Sequence, residues 1–289
     1  MLSRSSWLHM RIPFSYFLLP VFLFALAISP NVTVRGSLWT FIIIHLLLYP
    51  ASNGYNSYFD KDEQSIGGLK NPPPVNKGLY QLAILFDVLA IAIGLFAINA
   101  TFAVMLFIYG LVSKAYSHPA IRLKKLPVVG WLAAGLFQGF FTLLMCYVGI
   151  NGYSVQTLGR PEVIIPGILC SVMLWGSYPM TQIYQHDEDG RRGDETLSRR
   201  LGILGTFYFV AAVFAVVTIC FVLYFINFYS VELAIAYLIA LLPVICFFGY
   251  WFIKTYRSAR AADYTHTMWL NFISATSLNA FFIYLWKMT

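Results

Sequence analysis

Eight of the chain's 12 acidic residues fall in two short segments. Asp60, Asp62 and Glu63 form the first, and Asp187, Glu188, Asp189, Asp194 and Glu195 form the second. Acids grouped in this way, with basic residues among them, look like a polar site rather than random solvation. The residues leading into each segment repeat one chemistry. His45, Tyr49, Asn53, Asn56 and Asp60 follow at intervals of 4, 4, 3 and 4, and Gln64 continues the series if the helix persists. Tyr178, Gln182, Gln185 and Asp189 follow at intervals of 4, 3 and 4. Positions so spaced share one face of an α-helix. Each stripe closes with an amide and, four residues on, an aspartate: Asn56/Asp60 and Gln185/Asp189.

The elements that carry these stripes are membrane helices. The 289 residues are 59% hydrophobic, 18% aromatic and only 11% charged, against about 25% charged in a soluble domain. So little charge does not cover a water-facing surface. Apolar runs near 13–31, 37–58, 79–98, 100–115, 127–149, 162–184, 203–226, 231–253 and 268–286 approach or exceed the roughly 20 residues that cross a hydrocarbon core. The fold class expected is therefore all-α: a polytopic membrane protein of about nine helices around a central cavity, with residues 1–289 as one transmembrane domain. The third and fourth runs are nearly continuous, and the break between them is placed at Asn99. Polar groups inside a bilayer are expensive, so a continuous stripe is expected to line a protein cavity; interhelical hydrogen bonding through Asn and Gln is the alternative. The first run is too long for a signal peptide and no small-residue cleavage pattern follows it. Cys146, Cys170, Cys220 and Cys246 fall inside spans without CxxC pairing and read as small buried apolar residues.

Lys and Arg mark the cytoplasmic side of a membrane protein. With the N-terminus inside, 16 of the 19 basic residues lie on that side, and only Arg35, Arg160 and Lys287 lie outside. Both acidic segments follow even-numbered spans and so share the basic face. The expected location is the inner membrane of a bacterial cell, with the N-terminus in the cytoplasm and anionic lipid heads as neighbours. The basic residues form no single patch, which argues against nucleic-acid binding.

Three motifs resemble those of the UbiA-type prenyltransferases. Asn56-Ser57-Tyr58-Phe59-Asp60-Lys61-Asp62-Glu63-Gln64 is similar to that family's N-D-x-x-D-x-x-x-D after the second helix. Gln185-His186-Asp187-Glu188-Asp189, followed by Gly193-Asp194-Glu195-Thr196-Leu197, is similar to its D-x-x-x-D and G-x-x-T-L elements after the sixth. Tyr116-Ser117-His118-Pro119-Ala120-Ile121-Arg122-Leu123-Lys124 is similar to its Y-S-x-P-P-x-R-L-K. The departures are Ser57, Gln64 and Gln185 where the family has Asp, and a missing Arg before Pro73-Pro74, for which Lys70 is the substitute at hand.

The resemblance implies transfer of a polyprenyl group from a prenyl diphosphate to an aromatic or lipid acceptor, through an allylic carbocation, with Mg²⁺ as cofactor. It assigns Asp60, Asp189, Asn56 and Gln185 to catalysis, and Asp60, Gln64, Asp189 and Gln185 to the metal. Lys70, Arg122, Lys124 and Tyr116 are expected to hold the diphosphate. Asp62, Glu63, Asp187 and Glu188 are the reserve of negative charge; Arg191 and Arg192 read first as topological. Tyr49, Tyr58, Tyr116, Tyr178 and Tyr184 are candidate aromatic faces for the cation. His186 reads as a surface histidine, His45 as an interhelical hydrogen bonder, and Asp87 needs a neighbouring partner. Residues 67–74 read as a mobile or extended lid. Two other readings compete. A terpene cyclase of the same fold would act on the prenyl diphosphate alone. A transporter would hold its site near the bilayer midplane, whereas these acids cluster at one face.

Overall fold

The structure, a computed structural model, describes residues 3–289. Among the described residues nine helices are long and apolar enough to cross a membrane. They are α1 (Arg4–Ala27), α2 (Val34–Asp60), α3 (Gly78–Ala97), α4 (Ala100–Ser117), α5 (Pro127–Asn151), α6 (Pro161–Arg192), α7 (Leu197–Phe228), α8 (Val231–Arg257) and α9 (Tyr264–Met288). The break between α3 and α4 falls at Asn99, whose side chain accepts the Phe102 N–H at 2.9 Å and satisfies one orphan donor of the new helix. Thr196, Ser230 and Asp263 cap α7, α8 and α9 in the same way.

Packing runs from α2 through α3 to α4, and from α6 through α7 and α8 to α9. Helix α1 lies against α9 and α5, and α5 also packs on α2 and α6, which joins the two groups. The main core is aliphatic and aromatic: Phe24 stacks on Phe282 with centroids 4.6 Å apart, and Phe221, Phe225 and Tyr237 continue the contact. At the closest approach of α5 and α6, Gly139 faces the backbone of Ser171, where a Cβ would stand 2.5 Å from the Ser171 nitrogen.

Three helices depart from α geometry where they approach the polar end. Helix α2 carries a π turn over Ile42–Leu48, just before Pro50, which has no N–H to donate. Helix α5 carries a second over Leu136–Phe141. Helix α6 passes through a 3-10 turn, Ile183–Gln185, before its last stretch, His186–Arg192. In α1, Arg11 adopts φ 48°, ψ 44° and separates a short leading helix, Arg4–Met10, from the span proper.

Two expectations are corrected here. The stripe on α2 does not line a cavity throughout, because its leading members, His45 and Tyr49, lie several turns from the polar end and are buried in the apolar core. His45 is buried among Phe22, Phe41 and Tyr49, and its Nε2 has no partner. The cysteines are all free, but only Cys146 and Cys170 are buried, while Cys246 is exposed on a helix face rich in exposed apolar side chains.

Candidate active site

The ends of α2 and α6 meet the α4–α5 loop around a cavity of about 110 Å³. Asn56, Asp60 and Asp62 contribute one wall, and Tyr178, Thr181, Gln182, Gln185, Asp189 and Arg192 contribute the other. Lys124 and Tyr116 close a third side, with Asp194 and Thr196 behind Asp189. The four-residue stripe on α6 therefore lines the cavity in full, and the stripe on α2 does so at Asn56 and Asp60.

The carboxylates are held by cations. Asp60 pairs with Lys124 and, at 3.4 Å, with Arg122. Arg122 forks onto Asp194 with both bonds at 2.7 Å. Arg192 pairs with Asp62 and, at 2.8 Å, with Glu188. Glu188 also accepts the Glu63 N–H at 2.9 Å, so α6 grips the loop after α2. Lys124 donates to Asn56 Oδ1 at 3.3 Å, and Ser117 Oγ donates to the same atom at 2.8 Å. Buried ion pairs of this kind cost several kcal/mol per ion in lost hydration and are kept only when the geometry is good. Burial pushes the Asp62 carboxyl above its usual range, Asp60 adds to the push, and Arg192 draws it back. Its hydrogen bonds to Asp194 hold the Arg122 guanidinium more firmly charged than usual. Asp189 is different: its one hydrogen bond is from Thr196 Oγ1 at 3.4 Å, and no cation pairs with it among the described residues.

A second cavity of about 50 Å³ lies behind the first. Tyr116 and Tyr178 belong to both, and their hydroxyls are hydrogen-bonded to each other across the boundary. Tyr109, Phe137, Gln138 and the Ser52–Ser113 pair, 2.6 Å apart, line the rear chamber.

Several expected residues lie elsewhere. Helix α2 stops at Asp60 because Lys61 takes the left-handed conformation with φ 50°, so Gln64 leaves the helical face and is exposed, away from the cavity. Lys70 is exposed as well, and neither it nor Arg122, which is held behind the cavity by Asp194, is among the lining residues. Glu63, Asp187 and Arg191 point to solvent. Gln185 lines the cavity and donates to Ser65 O at 3.4 Å. Of the tyrosines, Tyr49 is in the apolar core, Tyr58 packs on Tyr80, and Tyr184 packs on Tyr264; only Tyr116 and Tyr178 reach the cavity. His186 is half-buried and bonds Ser198 Oγ at 2.8 Å, and Asp87 is paired with Lys114. The segment 67–74 is not a free lid. His9 bonds Pro73 O at 2.7 Å, Ser5 donates to Pro74 O at 2.6 Å, and Arg11 donates to Gly67 O at 3.2 Å.

Other residues carry functions that spacing did not reveal. Arg192 faces the cavity, although its place in a basic cluster reads as a topology signal. Arg11 reaches the cavity from α1, and no motif marks it. Thr181 and Gln182 sit one turn before the acidic segment, where the helical repeat from Tyr178 did point to Gln182.

Comparison with known proteins bears on this arrangement. The model of the UbiA prenyltransferase family matches residues 17–273. The chain belongs to that family. Its fold is also that of solved UbiA structures. A UbiA homologue from Archaeoglobus fulgidus bound to DMAPP and Mg²⁺ superposes with a TM-score of 0.67 at 16% identity, over 99% of this chain and 100% of the other. The same homologue bound to GPP and Mg²⁺ gives 0.63 at 17%, over 98% and 99%. A digeranylgeranylglyceryl phosphate synthase gives 0.61 at 17%, over 98% of each chain. No curated protein sequence matches. At these identities the likeness establishes the UbiA fold, and the chemistry rests on the residues above.

The donor set suits a hard cation: carboxylates from Asp60, Asp62 and Asp189 and amide oxygens from Asn56 and Gln185, with no thiol or imidazole among the lining residues. No group of three or more His, Cys, Asp or Glu among the described residues is arranged to hold an ion by itself. That agrees with Mg²⁺, which keeps several waters and takes one or two carboxylates together with substrate phosphates.

Proposed function

We propose that this UbiA-family protein transfers a polyprenyl group from a prenyl diphosphate to an aromatic or lipid acceptor, in a Mg²⁺-dependent reaction at the membrane surface. One observation carries the reading: Asp60 at the tip of α2 and Asp189 at the tip of α6 line one cavity, together with Lys124. The A. fulgidus homologue bound to DMAPP or GPP with Mg²⁺ supports the choice of donor and metal.

Asp60 and Asp189 would hold the ion, with Asn56 and Gln185 offering neutral oxygens. When bound, Mg²⁺ supplies positive charge to the diphosphate oxygens. Lys124 leaves Asp60 for the diphosphate and stabilises it where negative charge develops, with Arg122 held behind it by Asp194. The bond between the allylic carbon and the bridging oxygen breaks, and its electron pair leaves with the diphosphate. The faces of Tyr116 and Tyr178 lie at the boundary of the rear chamber, where an aromatic ring stabilises a desolvated cation by about 2 kcal/mol. The acceptor supplies the electron pair of the new bond and then gives up a proton.

The test is incubation of the purified protein in bilayers with geranyl diphosphate and a lipid extract, with and without Mg²⁺, followed by mass spectrometry. Prenylated acceptor formed only with Mg²⁺ is the expected outcome. Cyclic hydrocarbon formed without acceptor would assign a cyclase instead. Absence of diphosphate release, with dissipation of a solute gradient, would assign transport.

A further inference from the structure

Arg11 stands apart from the other cations of the cavity. Lys124 and Arg192 are each paired with a carboxylate. Arg11 lines the same cavity and has no carboxylate partner among the described residues. Its Nη1 donates to Gly67 O and its Nη2 to Asn53 O, both at 3.2 Å. These are carbonyl dipoles on the loop and on α2, not charges. Its Nε is buried and has no partner. A guanidinium carries five N–H donors, so three remain. An unpaired charge with unused donors in a buried polar site is costly until an anion arrives.

The side chain is also fixed before any ligand binds. Arg11 occupies a left-handed backbone position closed by its own N–H to Leu8 O at 3.1 Å. Its guanidinium lies 5.5 Å from the Phe14 ring centroid. The short helix before it is bound to the 67–76 segment through His9, Ser5 and Ser6, the last donating to Asn76 Oδ1 at 3.0 Å. Such preorganisation lowers the entropic cost of gripping an anion. Lys70, the cation that sequence offers for the missing Arg, is exposed and off the cavity.

We infer that Arg11, from the first helix, is the cation that completes the diphosphate site, taking phosphate oxygens on Nε and its free Nη protons. The inference rests on the reading of the cavity as a diphosphate site. It places one phosphate ligand on the N-terminal segment rather than on the loop after the first acidic motif.

The experiment is calorimetric titration of detergent-purified protein with inorganic pyrophosphate and Mg²⁺, for the wild type, Arg11→Gln and Arg11→Lys. Prenyl alcohol binding and the KM values for donor and acceptor are measured in parallel. Loss of charge-assisted hydrogen bonds predicts pyrophosphate binding weaker by about tenfold to a hundredfold in Arg11→Gln. The donor KM rises in step, while prenyl alcohol affinity and acceptor KM are unchanged. Arg11→Lys, which keeps the charge and loses the fork, falls between, and it decides the matter alone if Arg11→Gln does not fold. Unaltered pyrophosphate binding in the folded variants, or a change confined to acceptor KM, would overturn the assignment while leaving the diphosphate site in place. Failure of the wild type itself to bind pyrophosphate with Mg²⁺ would remove both readings.

Discussion

The two aspartates that line the cavity from α2 and α6 have different neighbours, and their variants should differ in kind. Asp60 neutralises Lys124 and Arg122, whereas Asp189 accepts only from Thr196. Asp60→Asn and Asp189→Asn should each lower kcat by more than about a hundredfold, the scale of losing one electrostatic contact to the departing group. Only Asp60→Asn should also lower the melting temperature, because it strips two cations of their counter-charge. Full turnover in either purified variant would rule out the metal assignment. Gln64→Asp restores a family residue at an exposed position, so turnover should stay within about twofold of wild type, the range of surface substitutions; a folded but inactive variant would contradict the geometry. Asp60, Asp189 and Asn56 stood out because amide and acid recur at helical spacing, Lys124 stood out through the motif resemblance, and all four line the cavity. Gln64 was misplaced for a local reason: the helix ends four residues earlier, at a non-glycine left-handed residue that spacing alone does not disclose.

Helix ends decide what the elements present. The α2 stripe keeps one face from Tyr49 to Asp60, but Tyr49 lies about three turns below Asp60 and is buried in the core, and only His45 falls within the π turn. A period-3.6 reading therefore found the face and not the depth at which the cavity ends. The α6 stripe survived its 3-10 turn, and every member of it faces the cavity. At the α5–α6 contact, Gly139→Ala would push a methyl into the Ser171 backbone, which cannot move aside as a side chain can. The expected cost is about 1–3 kcal/mol, typical of overpacking, read as a lower thermal midpoint in detergent. Asp194→Asn loosens the loop between α6 and α7 from Arg122. Because Arg122 keeps some access to water, the expected loss is about 1–3 kcal/mol, below the full cost of a buried pair, together with a higher donor KM.

On the scale of the whole molecule, the nine membrane-length helices among the described residues were legible from apolar run length, whereas the Asn99 cap that breaks the third run from the fourth was seen only in the structure. The anchoring of the 67–74 segment was not legible either, since it depends on Ser5, His9 and Arg11 meeting carbonyls more than 50 residues away. The closed network of Lys124, Arg122, Arg192 and their carboxylates sets how ligands cooperate. Metal on Asp60 frees Lys124 for phosphate, and phosphate on Lys124 frees Asp60 for metal. Pyrophosphate should therefore tighten Mg²⁺ binding by about tenfold, within the usual 1–3 kcal/mol of coupling, and Mg²⁺ should tighten pyrophosphate equally. Independent affinities in calorimetry would count against the exchange. Excess chelator should abolish turnover, and restored Mg²⁺ should recover it. The position of Arg11 reaches further, into biogenesis. Its two carbonyl acceptors lie 42 and 56 residues later in the chain. During synthesis the leading hydrophobic segment thus emerges with a guanidinium that finds its anchors only after the following hairpin half and its connecting loop have been made. Seating of that side chain on both carbonyls therefore waits on synthesis of at least the next 56 residues.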